Sequence, residues 1–414
     1  MIRMTGLFLA IIGLTSVRAQ EDRRVRCEVI RTETGAYFEQ WLSSARQNRA
    51  VSESIVYRIP VVVHILHTGE PVGEGFNFSD ERIVTQIRTL NEDFRRKEGT
   101  PGFNAHPDGA DTHIEFFLAQ TDPQGNPTSG IVRINRSAVP PPSGPSDLIT
   151  LSSAYSYWNP EHYLNIWCWD VGFHGIYFGK STFPVSNLKG LSTEDLTVAD
   201  GLFINAINFG RGEDHTLPNY DGGRTLTHEM GHFLGLLHTF GPANDCDYSD
   251  YCEDTPPQRT ATNGCPQEKP FACDGRPVMI ENYMDYSYDR CMNIFTREQS
   301  ERMHVVLENS PRRKSLVVPG IVTANPDNTK DVIAIYPNPA KDRFYLSGNK
   351  ESVGEPVNVK VLALTGEILF EKVFVLNDSE WEILLPGADE NVAIVCLEST
   401  RFSLRQLMII HAPR

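Results

Sequence analysis

Three histidines, one glutamate and two glycines fall within eleven residues, His228-Glu229-Met230-Gly231-His232-Phe233-Leu234-Gly235-Leu236-Leu237-His238. His228 and His232 stand four apart, so on a helix their imidazoles share one face and can share a metal ion. Glu229 follows the first of them directly, where it can act on a metal-bound water but not reach the metal itself. Gly235 can adopt the left-handed conformation that ends a helix, which turns the chain and returns His238 as a third ligand. Three protein ligands leave a fourth zinc position open, the arrangement of a catalytic site and not of a structural one.

The plainer alternative is an amphipathic helix with two surface histidines, because a bare HExxH occurs in many helices. Three further features argue against it: the added glycine, the third histidine, and a downstream Asn282-Tyr283-Met284-Asp285-Tyr286. That last run resembles the methionine-containing turn beneath the zinc of metzincin proteases. Zinc on the three histidines would bring the pKa of its water from near 16 toward roughly 7. Glu229 would take the proton and pass it to the leaving amine. The Tyr286 phenol is placed to donate a hydrogen bond to the tetrahedral intermediate, although a merely packed aromatic has the same sequence signature. Met284 needs no chemistry; its soft side chain would pack under the histidines.

The elements that must position these groups are legible in outline. Ile59 to Leu66 is a dense β-branched run that reads as a buried strand. Ile83, Ile87, Leu90 and Phe94 recur at helical spacing behind Asp80 and Glu81. Ile114 to Ala119 and Tyr163 to Val171 read as strands, separated by the loop signal at 140–145. Leu202 to Phe209 reads as the last strand before the zinc helix and as an edge that an extended peptide can join. From 241 to 290 the chain is rich in Cys, Asp, Pro and Asn, which suggests an irregular, cross-linked lobe. Phe295 to Leu307 then reads as a closing helix.

The chain has 414 residues and a formal charge of -15, enough length for two or three domains. The acidic balance argues against nucleic acid and anionic membrane surfaces, which reward clustered cations. Arg3, an apolar run from Leu7 to Leu14, and small residues up to Ala19 read as a secretory signal peptide. The run is shorter than the roughly 20 residues needed to span a bilayer, and no later segment qualifies as transmembrane. Export makes the eight cysteines candidates for disulfides.

The zinc motif, the Tyr283-Met284-Asp285-Tyr286 turn, the Asp254-Thr255-Pro256 loop and the surrounding cysteines resemble the pappalysin family of metzincins over roughly residues 27 to 310. That resemblance implies a two-lobed catalytic domain of about 250 residues with the zinc helix at the floor of its cleft. It further implies disulfides Cys246–Cys273 and Cys265–Cys291, each worth roughly 3 to 4 kcal/mol on the chain-entropy model. Cys252 and Cys396 are left without an assigned partner, and Cys168, in an apolar strand, reads as a buried free thiol. The resemblance also implies calcium near Asp250, Glu253 and Thr255, with a solvated acidic loop as the alternative. Asp289 corresponds to an acidic residue in the family's pocket for the residue after the scissile bond, where it would select Arg or Lys. Cys27 matches the family's latency cysteine, a thiolate on the zinc of the inactive precursor; a disulfide with Cys252 is the rival reading. Self-cleavage before Arg46, Arg49 or Arg58 would suit the basic preference.

A second resemblance covers about residues 332 to 414. Ile335-Tyr336-Pro337-Asn338-Pro339-Ala340, a Leu364-Thr365-Gly366-Glu367 turn and a late Leu407-Met408-Ile409-Ile410 are similar to the sorting domain of the type IX secretion system. An ordinary β-sandwich for surface adhesion is the alternative. The expected fold class is α+β, a metzincin-type two-lobed zinc protease domain with a small C-terminal β-sandwich. The expected divisions are a signal peptide over 1–19, a propeptide over 20–48 (extending to about 58), a catalytic domain over 49–315, a linker over 316–331 and a sorting domain over 332–414. The expected function is a secreted or cell-surface zinc endopeptidase made as a latent zymogen. Its partners would be protein or peptide substrates and the secretion machinery. The competing class is a zinc-stabilised binding protein or adhesin on a dead protease scaffold; such a protein commonly loses its base, whereas this chain keeps Glu229.

Overall fold

Strand β1, Tyr57–His67, is the axis of the main sheet: Ile59, Val61, Val62, Val63, Ile65 and Leu66 are all buried. In this computed structural model the described residues are 27, 34–47, 56–139, 147–171, 177–184, 199–212, 216–241, 245–317 and seven C-terminal strand segments between 334 and 409. The signal peptide, the loop at 140–145, the linker from 318 and the cleavage site before Arg49 lie outside them.

β1 pairs in parallel with β2 (Ile114–Leu118) along its first half and with β3 (Ile131–Asn135) along its second. On its other side lies β4 (Leu164–Trp169), then β6 (Gly201–Asn205), both parallel, and finally the antiparallel β5 (Gly179–Ser181). The edge strand is therefore β5, which corrects the reading of 202–209 as the edge. Every residue of β6 is buried between two partners; the true edge is a three-residue Gly-Lys-Ser segment without β-branched residues to mark it.

Helix α1 (Thr34–Gln47) packs on α5 (Arg297–Asn309), whose start carries a capping box between Thr296 and Gln299. Helix α2 (Asp80–Phe94) begins at Ser79, whose side chain accepts from Arg82 N, and buries the predicted stripe of Ile83, Ile87, Leu90 and Phe94. The short α3 (Leu148–Ser153) and strand β3 have no clear periodicity in the sequence. A last turn, α6 (Arg313–Leu316), follows α5, and Arg313 reaches back to Asp200 at 2.6 Å.

The lobe after the zinc motif holds two disulfides, Cys246–Cys273 and Cys265–Cys291, with Cα separations of 5.7 and 6.1 Å. Cys27, Cys168 and Cys252 are buried thiols outside any disulfide, so the rival Cys27–Cys252 bond is absent. Burial pushes the thiols of Cys168 and Cys252 above their ordinary range. Nothing is described of the Cys396 side chain. The C-terminal strands β7 (Ala334–Tyr336), β8 (Arg343–Ser347), β9 (Pro356–Ala363), β10 (Ile368–Val375), β11 (Glu380–Leu384), β12 (Val392–Glu398) and β13 (Ser403–Ile409) form two antiparallel sheets. Their orders are β10-β9-β12-β13 and β11-β8-β7, consistent with a small β domain. Among the described residues no helix is long and apolar enough to cross a membrane.

Candidate active site

Helix α4, Arg224–Phe233, carries the first two histidines and ends as its sequence predicts. Gly235 has φ 91°, its amide donates to His232 O at 2.9 Å, and the Leu236 amide donates to Gly231 O at 2.9 Å. That pair of bonds is a Schellman cap, which only a residue comfortable at positive φ accommodates. The turn returns His238 to the face of His228 and His232.

The three Nε2 atoms stand 3.0, 3.1 and 3.2 Å apart, in buried surroundings. His228 Nδ1 lies 2.6 Å from Tyr283 O and His232 Nδ1 lies 2.8 Å from Leu236 O. Each Nδ1 faces a carbonyl and must carry the proton, so these Nε2 atoms present lone pairs to one another. Burial holds the His232 imidazole down to about 4, so it is neutral at neutral pH. Converging lone pairs repel unless a cation lies between them. A triangle of this edge has corners about 1.8 Å from its centre, a spacing that suits Zn–N bonds of ~2.0–2.1 Å. The residues fit zinc.

Cys27 completes the set: its sulfur and one nitrogen from each of His228, His232 and His238 lie within 4.8 Å of one another. No other three or more His, Cys, Asp and Glu side chains group this closely among the described residues. Cys27 Sγ is 3.4 Å from Glu229 Oε2. Tyr286 grips the same residue, its hydroxyl donating to Cys27 O at 2.5 Å and accepting from Cys27 N at 3.2 Å. Its ring packs on His238 and Phe240, with centroids 4.9 and 4.8 Å away. Met284 is fully buried beneath α4: a β-carbon on Gly231 would stand 2.4 Å from its sulfur.

Supporting contacts that the sequence reading did not single out surround this set. Asp285, buried with its carboxyl pushed up by burial, accepts from the amides of Tyr286 and Thr262 at 2.8 Å each and from Gln258 Nε2 at 3.0 Å. It thereby fixes the turn that presents Tyr286. Asp93, on α2, accepts from Thr227 Oγ1 at 2.7 Å and pairs with Arg224 at 3.0 Å, which ties α2 to the zinc helix. Asp93 stands in a charged run beside Glu92, and Asp285 was quoted within the methionine turn without a role, so neither carries a spacing that announces it.

The remaining predicted residues lie further out. Asp289 is 1% exposed, and its Oδ2 accepts from the amides of Gly222 and Arg224, both at 3.0 Å, at the start of α4. Asp250 is buried, which pushes its carboxyl up to about 6. It accepts from Thr255 Oγ1 at 2.7 Å and Cys252 N at 3.2 Å. Glu253 is exposed, with its amide on Glu298. The neighbouring Asp254 keeps a buried Oδ1 without a hydrogen-bond partner, the kind of orphaned oxygen that a hard cation satisfies.

A twisted sheet ended by one antiparallel edge strand, a zinc helix broken by glycine, and a methionine turn below it define the metzincin class of zinc metalloproteases. Residues 151–308 match the Peptidase_M43 family, described as Pregnancy-associated plasma protein-A, and residues 334–385 match the secretion system C-terminal sorting domain. An extracellular metalloprotease of Arthroderma gypseum is 32% identical over 271 residues, covering 65% of this chain and 80% of the relative. One from Arthroderma otae is 46% identical over 125 residues, and there the chain spans 44% of the relative's length. Among solved structures, a mutant of Tannerella forsythia promirolysin is 32% identical with a TM-score of 0.59, covering 71% of this chain and 97% of that one. Mature mirolysin in complex with a cleaved peptide is 35% identical with a TM-score of 0.55, covering 65% and 97%. The chain belongs to the Peptidase_M43 family, the pappalysins, and it carries the sorting domain of an exported protein.

Proposed function

We propose that the protein is a secreted zinc-dependent endopeptidase made as a latent zymogen. The observation that carries this reading is the convergence of Cys27 Sγ with the nitrogens of His228, His232 and His238, beside Glu229. His228, His232 and His238 would hold the zinc. When bound, zinc acidifies a coordinated water toward neutral pH and polarises the substrate carbonyl.

The chain's own residues do the rest. Glu229 Oε2 accepts the proton of the attacking water and delivers it to the departing amine, so one carboxylate serves as base and then as acid. Tyr286, held by Asp285 and the aromatic ring of Phe240, donates from its hydroxyl to the developing oxyanion. Tyr283 O and Leu236 O keep the protons of His228 and His232 on Nδ1, which leaves each Nε2 free to bind.

In the latent form the Cys27 thiolate would help hold the zinc and displace its water, while the Cys27 main chain occupies Tyr286. The segment over 20–48, extending to about 58, is then the inhibitory propeptide, residues 49–315 form the catalytic domain, and residues 332–414 are an export address recognised by the secretion machinery. Asp289 selects Arg or Lys after the scissile bond, its carboxylate fixed by two main-chain amides. A structural calcium at Asp250, Glu253 and Thr255 is supported by the orphaned oxygen of the adjacent Asp254.

The test is a mixed peptide library incubated with the full chain, Cys27→Ala and Cys27→Ala/Glu229→Ala, with and without chelator, the cuts mapped by mass spectrometry. Chelator-sensitive cuts before Arg or Lys in Cys27→Ala, few in the full chain at early times and none without Glu229, are expected. Cuts that persist without Glu229 would contradict the reading, and a preference for apolar residues after the cut would remove the role of Asp289.

A further inference from the structure

Gly179 lies in the edge strand β5, directly against the base. A β-carbon on Gly179 would stand 2.6 Å from Glu229 Cγ, 2.7 Å from its Oε1 and 2.9 Å from its Cδ. All three nearest atoms belong to one side chain. Gly179 is not among the glycines at positive φ, so its backbone suits any L-residue and no turn requires a glycine there. What excludes a side chain is the proximity of Glu229.

The strand side of this contact is fixed, and the base is closely packed. Gly179 is paired in register with Ile204 of β6, and the adjacent Phe178 O accepts from Asn205 N at 2.8 Å. Phe178 also packs edge-on against Tyr220 at 4.7 Å. Glu229 is wholly buried, sits on α4 beside the ligand His228, and has Cys27 Sγ 3.4 Å from its Oε2. The base is therefore held between the edge strand and the metal-ligand cluster.

We infer that Gly179 is a positioning residue for Glu229: the bare main chain of β5 forms the wall that sets how close the carboxylate stands to the ligand cluster. This assignment rests on the peptidase reading above. Ordinary contact begins at 3.4 Å, so an alanine at 179 would drive the base back by about 0.8 Å from its present 2.6 Å. A misplacement on the order of 1 Å costs about 100-fold in rate.

The experiment uses the full chain carrying Cys27→Ala, with Gly179→Ala introduced into both the Glu229 and the Glu229→Asp backgrounds. With Glu229 present, Gly179→Ala is expected to lower kcat by about 10- to 100-fold, with KM and bound zinc unchanged. With the shorter aspartate, whose carboxylate is drawn back by one methylene, the same substitution should cost within about twofold. Equal losses in the two backgrounds, a loss carried by KM, or loss of zinc from Gly179→Ala would overturn the assignment. Chelator-insensitive hydrolysis, or none at all, in Cys27→Ala alone would overturn the peptidase reading itself, and this inference with it.

Discussion

Glu39 and Arg302 form a bidentate pair, with both terminal guanidinium nitrogens 2.6 Å from the carboxylate oxygens. The third arm of the same arginine donates from Nε to Gly235 O at 2.7 Å, in the turn that returns His238 to the site. Around the pair, Phe38, Trp41 and Leu42 of α1 bury against Val305 and Val306. The helix of the proposed propeptide is thus anchored through the residue that braces the zinc turn. Breaking one partner of a buried pair costs on the order of 3 kcal/mol. Glu39→Gln should therefore shorten the latent lifetime by at least about tenfold, read as the time course of self-cleavage on a gel. An unchanged time course would mean that Cys27 alone holds the segment.

Gly231 and Met284 are similarly interlocked, with 2.4 Å between a would-be β-carbon and the sulfur. Gly231→Ala should cost about 1 to 3 kcal/mol through overpacking and loosen the metal site. Zinc retained after dialysis and the melting temperature both measure this. Adding Met284→Ala should restore part of each, because it removes the colliding atom.

Tyr286→Phe keeps the ring against His238 and Phe240 but deletes the hydroxyl. Loss of one oxyanion donor costs about 100-fold or more in kcat, with KM little changed. The same variant gives up both hydrogen bonds to the Cys27 main chain, so its precursor should also lose latency sooner. A variant with full kcat would make Tyr286 a packing residue only.

His64 supplies a pH dependence remote from the metal. It is buried in β1, stacks on Trp167 with centroids 5.7 Å apart, and contacts Asn165 Oδ1 at 2.9 Å. Burial lowers its pKa from 6.5 to about 4. Between those values the unfolded chain binds a proton that the folded chain refuses, so stability rises with pH across the window. The contribution is complete above about pH 6.5 and is lost as pH falls toward 4, on the order of 3 kcal/mol in total. His64→Gln should flatten that limb of the stability curve in urea titrations, whatever its effect at neutral pH.

Much of the site was legible because its chemistry imposes spacing. His228, His232, Gly235 and His238 declare a helix, its end and a returning ligand, and the Schellman cap at Gly235 is that pattern in three dimensions. The amphipathic stripe of α2 and the apolar run of β1 were equally plain, since period and composition agree there. Gly179 had no such signature. Three residues of Gly, Lys and Ser hold no β-branched run to mark a strand, and a deeper strand of stronger composition was taken for the edge. Asp93 was missed, and Asp285 was quoted in the methionine turn without a role, because Thr227 and Gln258 lie far off in sequence and no local pattern announces those contacts. Cys27 could be singled out only by likeness to a family, because a lone cysteine 201 residues before its nearest ligand carries no spacing information.

Three imidazoles and one sulfur are expected to hold a single metal ion in the uncleaved chain. X-ray absorption at the zinc edge of the full chain measures it directly. One zinc per chain with three nitrogen neighbours and one sulfur is expected, the sulfur giving way to oxygen in Cys27→Ala. A zinc-free protein, or a first shell without sulfur in the uncleaved chain, would contradict it.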